Sequence, residues 1–289
     1  MKKASLRVQA WAISLVLLAC VIAVWSGLTA STGSSSSAAN LTPEQIEYMQ
    51  MLGQSPTGES SGKAGFPTPT AFAEAAWQHL SQPFYDNGPN DKGIGIQLGW
   101  SLLRVAAGFL LACVVAIPLG FVIGMSPLLY KALDPFIQVL KPISPLAWMP
   151  LALYTIKDSS ASGIFVIFIC SVWPMLVNTA FGVAGVKRDW LNVANTLEVS
   201  PLRKALQVIL PAAAPTIFTG MRISMGIAWL VIVAAEMLVG GTGIGYFLWN
   251  EWNNLSLTNV LFAILTIGVV GMLLDQTFAS LQKKVTYVE

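Results

Sequence analysis

Long apolar runs separated by short polar connections dominate the chain, and their lengths set its architecture. Gln9 to Ala30 is apolar for long enough to cross about 30 Å of hydrocarbon at a helical rise of about 1.5 Å per residue. After a polar interval the runs resume as Ile96 to Gly124, Asp134 to Ile156, Ser160 to Phe181, Thr216 to Val239 and Leu257 to Leu281. Each reads as a membrane span, so the pattern predicts an all-α, polytopic protein with six transmembrane helices. The third run differs from the rest. Pro142, Pro145 and Pro150 interrupt it within LKPISPLAWMPLAL, so it cannot form one straight helix. Broken backbone at membrane depth survives only against protein or a water-filled cavity, which makes this run a candidate wall of a pathway.

The pattern divides the chain into an N-terminal helix (1–30), a polar segment (31–93) and a membrane core (94–289). Leu28-Thr29-Ala30 is a poor small-x-small cleavage site, so the first run is read as an uncleaved helix. Ser31 to Ala39 and Gly53 to Gly65 are Ser/Gly-rich linkers. Thr42 to Leu52 opens on a TPEQ capping box. Thr70 to Leu80 sets Phe72, Ala76 and Leu80 on one face, which suits a helix lying on a membrane surface. The lone histidine, His79, falls here and reads as an ordinary surface residue.

Charge fixes orientation. Only 10% of the residues are charged, against about a quarter in an ordinary soluble domain, and a net charge of +2 argues against a nucleic-acid partner. With the N-terminus inside, Lys2, Lys3, Arg7, Lys131, Lys187, Arg188, Arg203, Lys204, Lys283 and Lys284 all fall on the inner side, and Lys63, Lys92 and Lys157 on the outer. Both termini are therefore expected in the cytoplasm, with residues 31–93 outside.

Catalytic chemistry is not evident. Gly58 to Lys63 lacks the spacing of a phosphate loop, and Gly241-Thr242-Gly243-Ile244-Gly245 follows no strand, so it reads as a turn. One histidine outside the spans supplies no Ser-His dyad. Asp275, alone in the last span, gives no aspartyl pair and is expected to pair with Lys283, Lys284 or water. Cys20, Cys113 and Cys170 sit in apolar runs without metal-ligand spacing. No catalytic, metal or cofactor site is expected, and energy for any transport must come from another chain.

Between the fourth and fifth runs lies NVANTLEVSPLRKALQVILP (192–211), polar and expected on the cytoplasmic side. Ala194, Val208-x-Leu210-Pro211 and Pro215 resemble the cytoplasmic loop of permease subunits in bacterial ABC importers. SLLRVAAGF (101–109), AIPLGFVIGMS (116–126), DPFIQVLKPISPLAWMPLAL (134–153) and AAEMLVGGTGIGYFLW (234–249) are similar to the branch importing nitrate, bicarbonate, sulfonates and taurine. PFYDNGPNDKG (83–93) with SVWPMLVNTAFGV (171–183) most resembles the nitrate and bicarbonate permeases. The chain departs from the family pattern, with Asn192-Val193-Ala194 for Glu-Ala-Ala and Glu198 for glycine. Ser200-Pro201 offers a break, Ser capping a helix that starts at Pro201, which gives short helices over 190–198 and 201–209.

The resemblance implies a type I ABC importer permease fold in the bacterial inner membrane and a homodimer with its pathway near the interface. It also implies two cytoplasmic ATPase subunits holding ATP and Mg, and a periplasmic or lipid-anchored binding protein. Asn192, Ala194, Glu198, Ser200, Leu202, Arg203, Leu206 and Pro211 would form the coupling loop, with Leu202, Arg203 and Leu206 seated in a groove of the ATPase. Nitrate is the expected substrate, bicarbonate the next, with nitrite, cyanate or a sulfonate behind them. A secondary transporter would need an ion-coupling site and inverted repeats, which these spans do not display; a membrane scaffold is the remaining rival.

Pathway candidates follow from charge inside spans. Arg222, Trp229 and Glu236 recur every seven residues and share one stripe of the fifth span. Arg222 would attract a small anion and Trp229 would gate it; alternatively Arg222 snorkels to head groups and Trp229 makes a helix contact. Arg104 in the second span is a candidate for the outer mouth.

Overall fold

A computed structural model describes residues 6–30, 66–88 and 91–285. The linkers and the capping-box helix expected between residues 31 and 65 lie outside the described residues. The apolar runs form α1 (Leu6–Ala30), α3 (Ile94–Met125), α6 (Ser159–Ala184), α8 (Pro201–Val239) and α10 (Leu257–Val285), each long and apolar enough to cross a membrane. The remaining run breaks into α4 (Pro127–Leu140) and α5 (Pro145–Ile156), bent by 89°, a pair with the length and composition of a broken span or a re-entrant loop. The run bends at Pro142 and Pro145 as expected, whereas Pro150 lies within α5 without interrupting it. Shorter helices are α2 (Pro69–Ser81), α7 (Arg188–Thr196) and α9 (Ile244–Asn253).

Local chemistry sets the helix starts. Thr68, Ser126 and Asp158 each accept a hydrogen bond from the backbone N–H three residues on, at 3.3, 3.3 and 2.6 Å. Pro69 and Pro127 then occupy the first helical position, where a missing N–H costs nothing.

One compact unit takes Met1–Gln82 with Glu251–Phe262. Within it the Trp25 indole donates to the Pro67 carbonyl at 2.8 Å and meets Phe66 and Phe72 edge-on, so Phe72 of the predicted apolar face is used while Leu80 is exposed. His79 is not a plain surface residue. Its ring stacks on Phe262 at 5.0 Å and its Nε2 lies 3.2 Å from Asn259 Oδ1, while Asn259 Nδ2 donates to Glu251 at 2.8 Å.

The second unit takes Pro83–Asn250 with Ala263–Glu289. Its core is the three-helix seam of α3, α6 and α8, where Val105, Phe109, Ala112, Ala116, Val166, Ile167, Met175, Ala228 and Ile232 are all buried. Apolar side chains alone give lipid-solvated helices little reason to associate, so close approach through small residues carries the packing. Gly108 faces Ile167, Gly120 faces Leu176 and Thr179, and Gly124 faces Ala180 and Val183; a Cβ at any of the three would come within 3 Å of α6. Before α3 the chain closes a turn in which Lys92 Nζ lies 2.7 Å from Asp86 Oδ2, and this ammonium holds the Asp86 carboxyl below its usual range.

Candidate functional site

The loop between α6 and α8 is rooted rather than loose. Val183, Val186, Ile209, Ala213 and Ile217 form a buried cluster, with Leu191 and Leu210 packed against it. Helix α7 ends in a Schellman motif: Val199 N–H donates to Ala194 O at 3.1 Å and Glu198 N–H to Asn195 O at 3.0 Å. The motif requires a left-handed residue, and Glu198 supplies it at φ 50°, so the bend forms without glycine. Ala194 is buried beneath the turn, and Lys204 Nζ spans the bend to Asn195 Oδ1 at 2.9 Å.

Two details of the loop differ from the sequence expectation. Ser200 makes no side-chain cap; its carbonyl accepts from Lys204 N–H at 2.9 Å, and Pro201 opens the helix. The predicted short helix over 201–209 is not separate, because Pro201–Lys204 continues through one π turn, Ala205–Ile209, into the long span. Pro211 has no N–H to give and its ring crowds the preceding turn, so the wider turn accommodates it. The second arm of the loop and the fifth span are thus one continuous helical rod from Pro201 to Val239. Outward the loop presents exposed Trp190, Asn192, Val193 and Leu197 from α7 and the bend after it, and Leu202, Arg203 and Leu206 from the start of α8.

At the far end of that rod, Glu236 is 4% exposed and saturated with donors. Its carboxylate accepts from Ser101 Oγ and Arg104 Nη1, each at 2.8 Å, and from Gly245 N–H at 3.0 Å. Arg104 also donates to Thr242 O at 2.6 Å and Ser160 Oγ at 2.9 Å. Gln97 Oε1 accepts from Gly243 N–H at 2.6 Å, and Ser101 Oγ from Ile244 N–H at 2.9 Å. Two side chains of α3 and one of α8 therefore accept from three successive amides of the Gly240–Gly245 turn, and Arg104 of α3 holds the Thr242 carbonyl. Gly243 and Gly245 are required: a Cβ at either would strike Glu236 or the Val233 carbonyl. A cleft of about 120 Å³ adjoins the pair, lined by Arg104, Asp158, Ser160, Glu236 and Gly240. Gln97, Ser101 and Arg104 recur at i, i+4 and i+7, a polar stripe that the sequence carries but that was not singled out above.

The other candidates lie apart from this network. Arg222 makes a two-point pair with Asp275, Nε to Oδ1 at 2.5 Å and Nη2 to Oδ2 at 2.6 Å, so Asp275 is matched by Arg222 rather than by Lys283 or Lys284. Trp229 is 3% exposed, donates its indole N–H to Ile267 O at 3.0 Å and lies against Gly271, which is a helix contact between α8 and α10.

Membrane-length helices around a broken span, with a helical loop welded to the span that follows it, define the membrane-spanning subunit of a transporter. The profile of the family described as "binding-protein-dependent transport system inner membrane component" matches residues 116–287, and the chain belongs to that family. A nitrate import permease protein, NrtB, of Synechocystis is 46% identical over 233 residues, covering 81% of this chain and 84% of the relative. A bicarbonate transport system permease protein, CmpB, of Synechocystis is 46% identical over 205 residues, covering 71% and 73%. Among solved structures, an inward-facing form of the MetNI methionine ABC transporter aligns with TM-score 0.58 at 13% identity, covering 65% of this chain and 94% of that one. The expected ABC permease fold is the fold observed, and the chain is an ABC permease subunit.

Proposed function

We propose that this chain forms the translocation pathway of an ATP-driven importer for a small inorganic anion, nitrate first and bicarbonate second. The observation that carries this reading is the exposed apolar set of the loop: Trp190, Val193 and Leu197 at α7, and Leu202 and Leu206 beside Arg203 at the start of the helix that continues as a membrane span. Exposed apolar side chains on a helical element are what a groove on a motor subunit needs in order to push and pull. The names of the relatives, nitrate and bicarbonate permeases, supply the substrate class.

In this reading two copies line the pathway, and two ATPase subunits holding ATP and Mg grip the 188–209 loops in the cytoplasm. A periplasmic or lipid-anchored binding protein delivers the anion on the side of residues 31–93. Both termini lie in the cytoplasm of a bacterial inner membrane. ATP binding and hydrolysis shift the dimer between inward-open and outward-open populations. Arg222 belongs to the wall of the pathway or to the packing behind it, and exchanging its charge with that of Asp275 separates these roles; Trp229 packs between α8 and α10.

The experiment is uptake of labelled nitrate and bicarbonate by the permease co-expressed with its ATPase and binding-protein partners. ATP-dependent nitrate accumulation supports the reading, preferential bicarbonate accumulation favours the second substrate, and accumulation of neither ends it. Arg203→Glu should lower both capture of the ATPase and uptake; full capture and full uptake would remove the loop's role.

A further inference from the structure

The break between α4 and α5 encloses a cavity of about 240 Å³ lined by Lys141, Ser144, Trp148, Cys170 and Trp173, with Ile227 of α8 closing it. Its depth follows from three helix ends that meet at the cleft beside Arg104, where Asp158, Ser159 and Val239 lie together. Counting at about 1.5 Å per residue from Ile156, Ser159 and Val239 reaches Pro145, Cys170 and Ile227 after about 17–18 Å, near the middle of a hydrocarbon layer of about 30 Å.

The side-chain nitrogens of this cavity, on Lys141, Trp148 and Trp173, are all donors. Arg104 and Arg222 have their charge matched by Glu236 and Asp275. The Lys141 ammonium makes no hydrogen bond or ion pair among the described residues, and neither do the indole N–H groups of Trp148 and Trp173. No carboxylate lines the cavity. The negative end of α4, capped at Lys141, and the positive end of α5, which starts at Ser144 without a side-chain cap, both meet here, so the helix dipoles offset one another and the ammonium sets the sign of the cavity. Lys141, Pro142 and Ser144 are exposed on the chain's surface, and an exposed lysine beside broken backbone at mid-depth is tolerated only against water or protein. An ammonium and two indoles with unmet donors ask for a ligand that only accepts. At about 30 Å³ per water, the volume admits a three-oxygen anion with a few waters.

Resting on the permease reading above, we infer that Lys141, Trp148 and Trp173 form a mid-membrane way-station for a planar monovalent oxyanion. Lys141 supplies the countercharge, the indole N–H groups donate to two oxygens, and the absence of a carboxylate keeps cations out.

The test uses the assembled transporter, with its ATPases and binding protein, in proteoliposomes given labelled nitrate or bicarbonate. Lys141→Gln should cut uptake by about ten- to a hundredfold, the loss of one charge-assisted hydrogen bond, with assembly and ATP hydrolysis retained. Lys141→Arg should recover most of it. In a background lacking the other cysteines, Lys141→Cys should be inactive, regain uptake when an aminoethyl thiosulfonate restores the positive charge, and stay inactive with the sulfonatoethyl reagent. Trp148→Phe with Trp173→Phe should raise the half-saturating anion concentration further than the maximal rate falls. Wild-type uptake in Lys141→Gln, or equal recovery with either reagent, overturns the inference. A wild-type complex that moves neither anion overturns the function itself, so the two failures are distinguishable.

Discussion

Arg104 and Glu236 stand 132 residues apart in sequence and 2.8 Å apart in the fold, and their pairing fastens the turn after the fifth span to the second. Such a pair lowers the energy of neither partner by much relative to water, but breaking one half leaves the other charged and unmatched in a dry place. Glu236→Leu should therefore destabilise the protein by about 3–5 kcal/mol, seen as a lower midpoint for thermal unfolding in detergent. Glu236→Gln keeps an acceptor for Gly245 N–H and should cost less. Arg104→Met combined with Glu236→Leu should recover part of the loss, and no recovery would mean that the carboxylate matters for the turn amides rather than for the guanidinium.

Gly243 tests the same turn from the other side. An added methyl at this position lands on the Glu236 carboxyl, so Gly243→Ala must displace either the carboxylate or the turn. Because both changes break one network, Gly243→Ala with Glu236→Leu should cost clearly less than the sum of the two alone. Additive losses in the same unfolding assay would show that the turn and the ion pair are independent.

The spans were legible because a membrane helix needs only an uninterrupted apolar run, and the broken span because three prolines cannot hide. The ion pairs were not. Nothing near Arg104 or Arg222 announces Glu236 or Asp275, because these contacts are set by the register of α3 and α10 against α8, which joins residues 132 and 53 positions apart in the chain. The start of α8 was misread for a related reason. Pro211 ends a helix by rule, yet one π turn before it lets the rod pass through, and π turns have no simple composition signal. Lys141 was overlooked because a single lysine between apolar neighbours carries little weight in a count for topology, although its position beside Pro142 in the broken run marks it.

Glu198 occupies a left-handed turn at φ 50°, where a Cβ costs about 1 kcal/mol or more. Glu198→Gly removes that strain, loses some of the gain to the freer unfolded chain, and should raise stability by about 0.5–1 kcal/mol. A β-branched residue is worse suited to the turn, so Glu198→Val should lower stability and weaken the loop's grip on an ATPase partner. Thermal unfolding together with partner capture checks both. A stabilised Gly variant that transports normally would show that Glu198 serves geometry alone, and a stabilised variant that no longer captures the ATPase would assign its carboxylate to the interface.

Arg222 and Asp275 bind each other at two points across α8 and α10, and both side chains are partly exposed, which leaves two roles open to experiment. If the pair clips the two helices together, Arg222→Gln harms the protein by freeing Asp275, and Asp275→Asn harms it comparably. Exchanging the charges, Arg222→Asp with Asp275→Arg, should then restore assembly and uptake, since the attraction does not depend on which helix carries which sign. If Arg222 instead meets the anion on its way through, the exchange restores assembly but not uptake, because the positive charge now projects from the other helix. The expectation from the two-point geometry is restoration of both, with each single variant reducing the yield of assembled complex. Uptake per assembled transporter is the deciding quantity: a value close to wild type in the exchanged protein assigns Arg222 to the scaffold, and a value that stays low assigns it to the pathway.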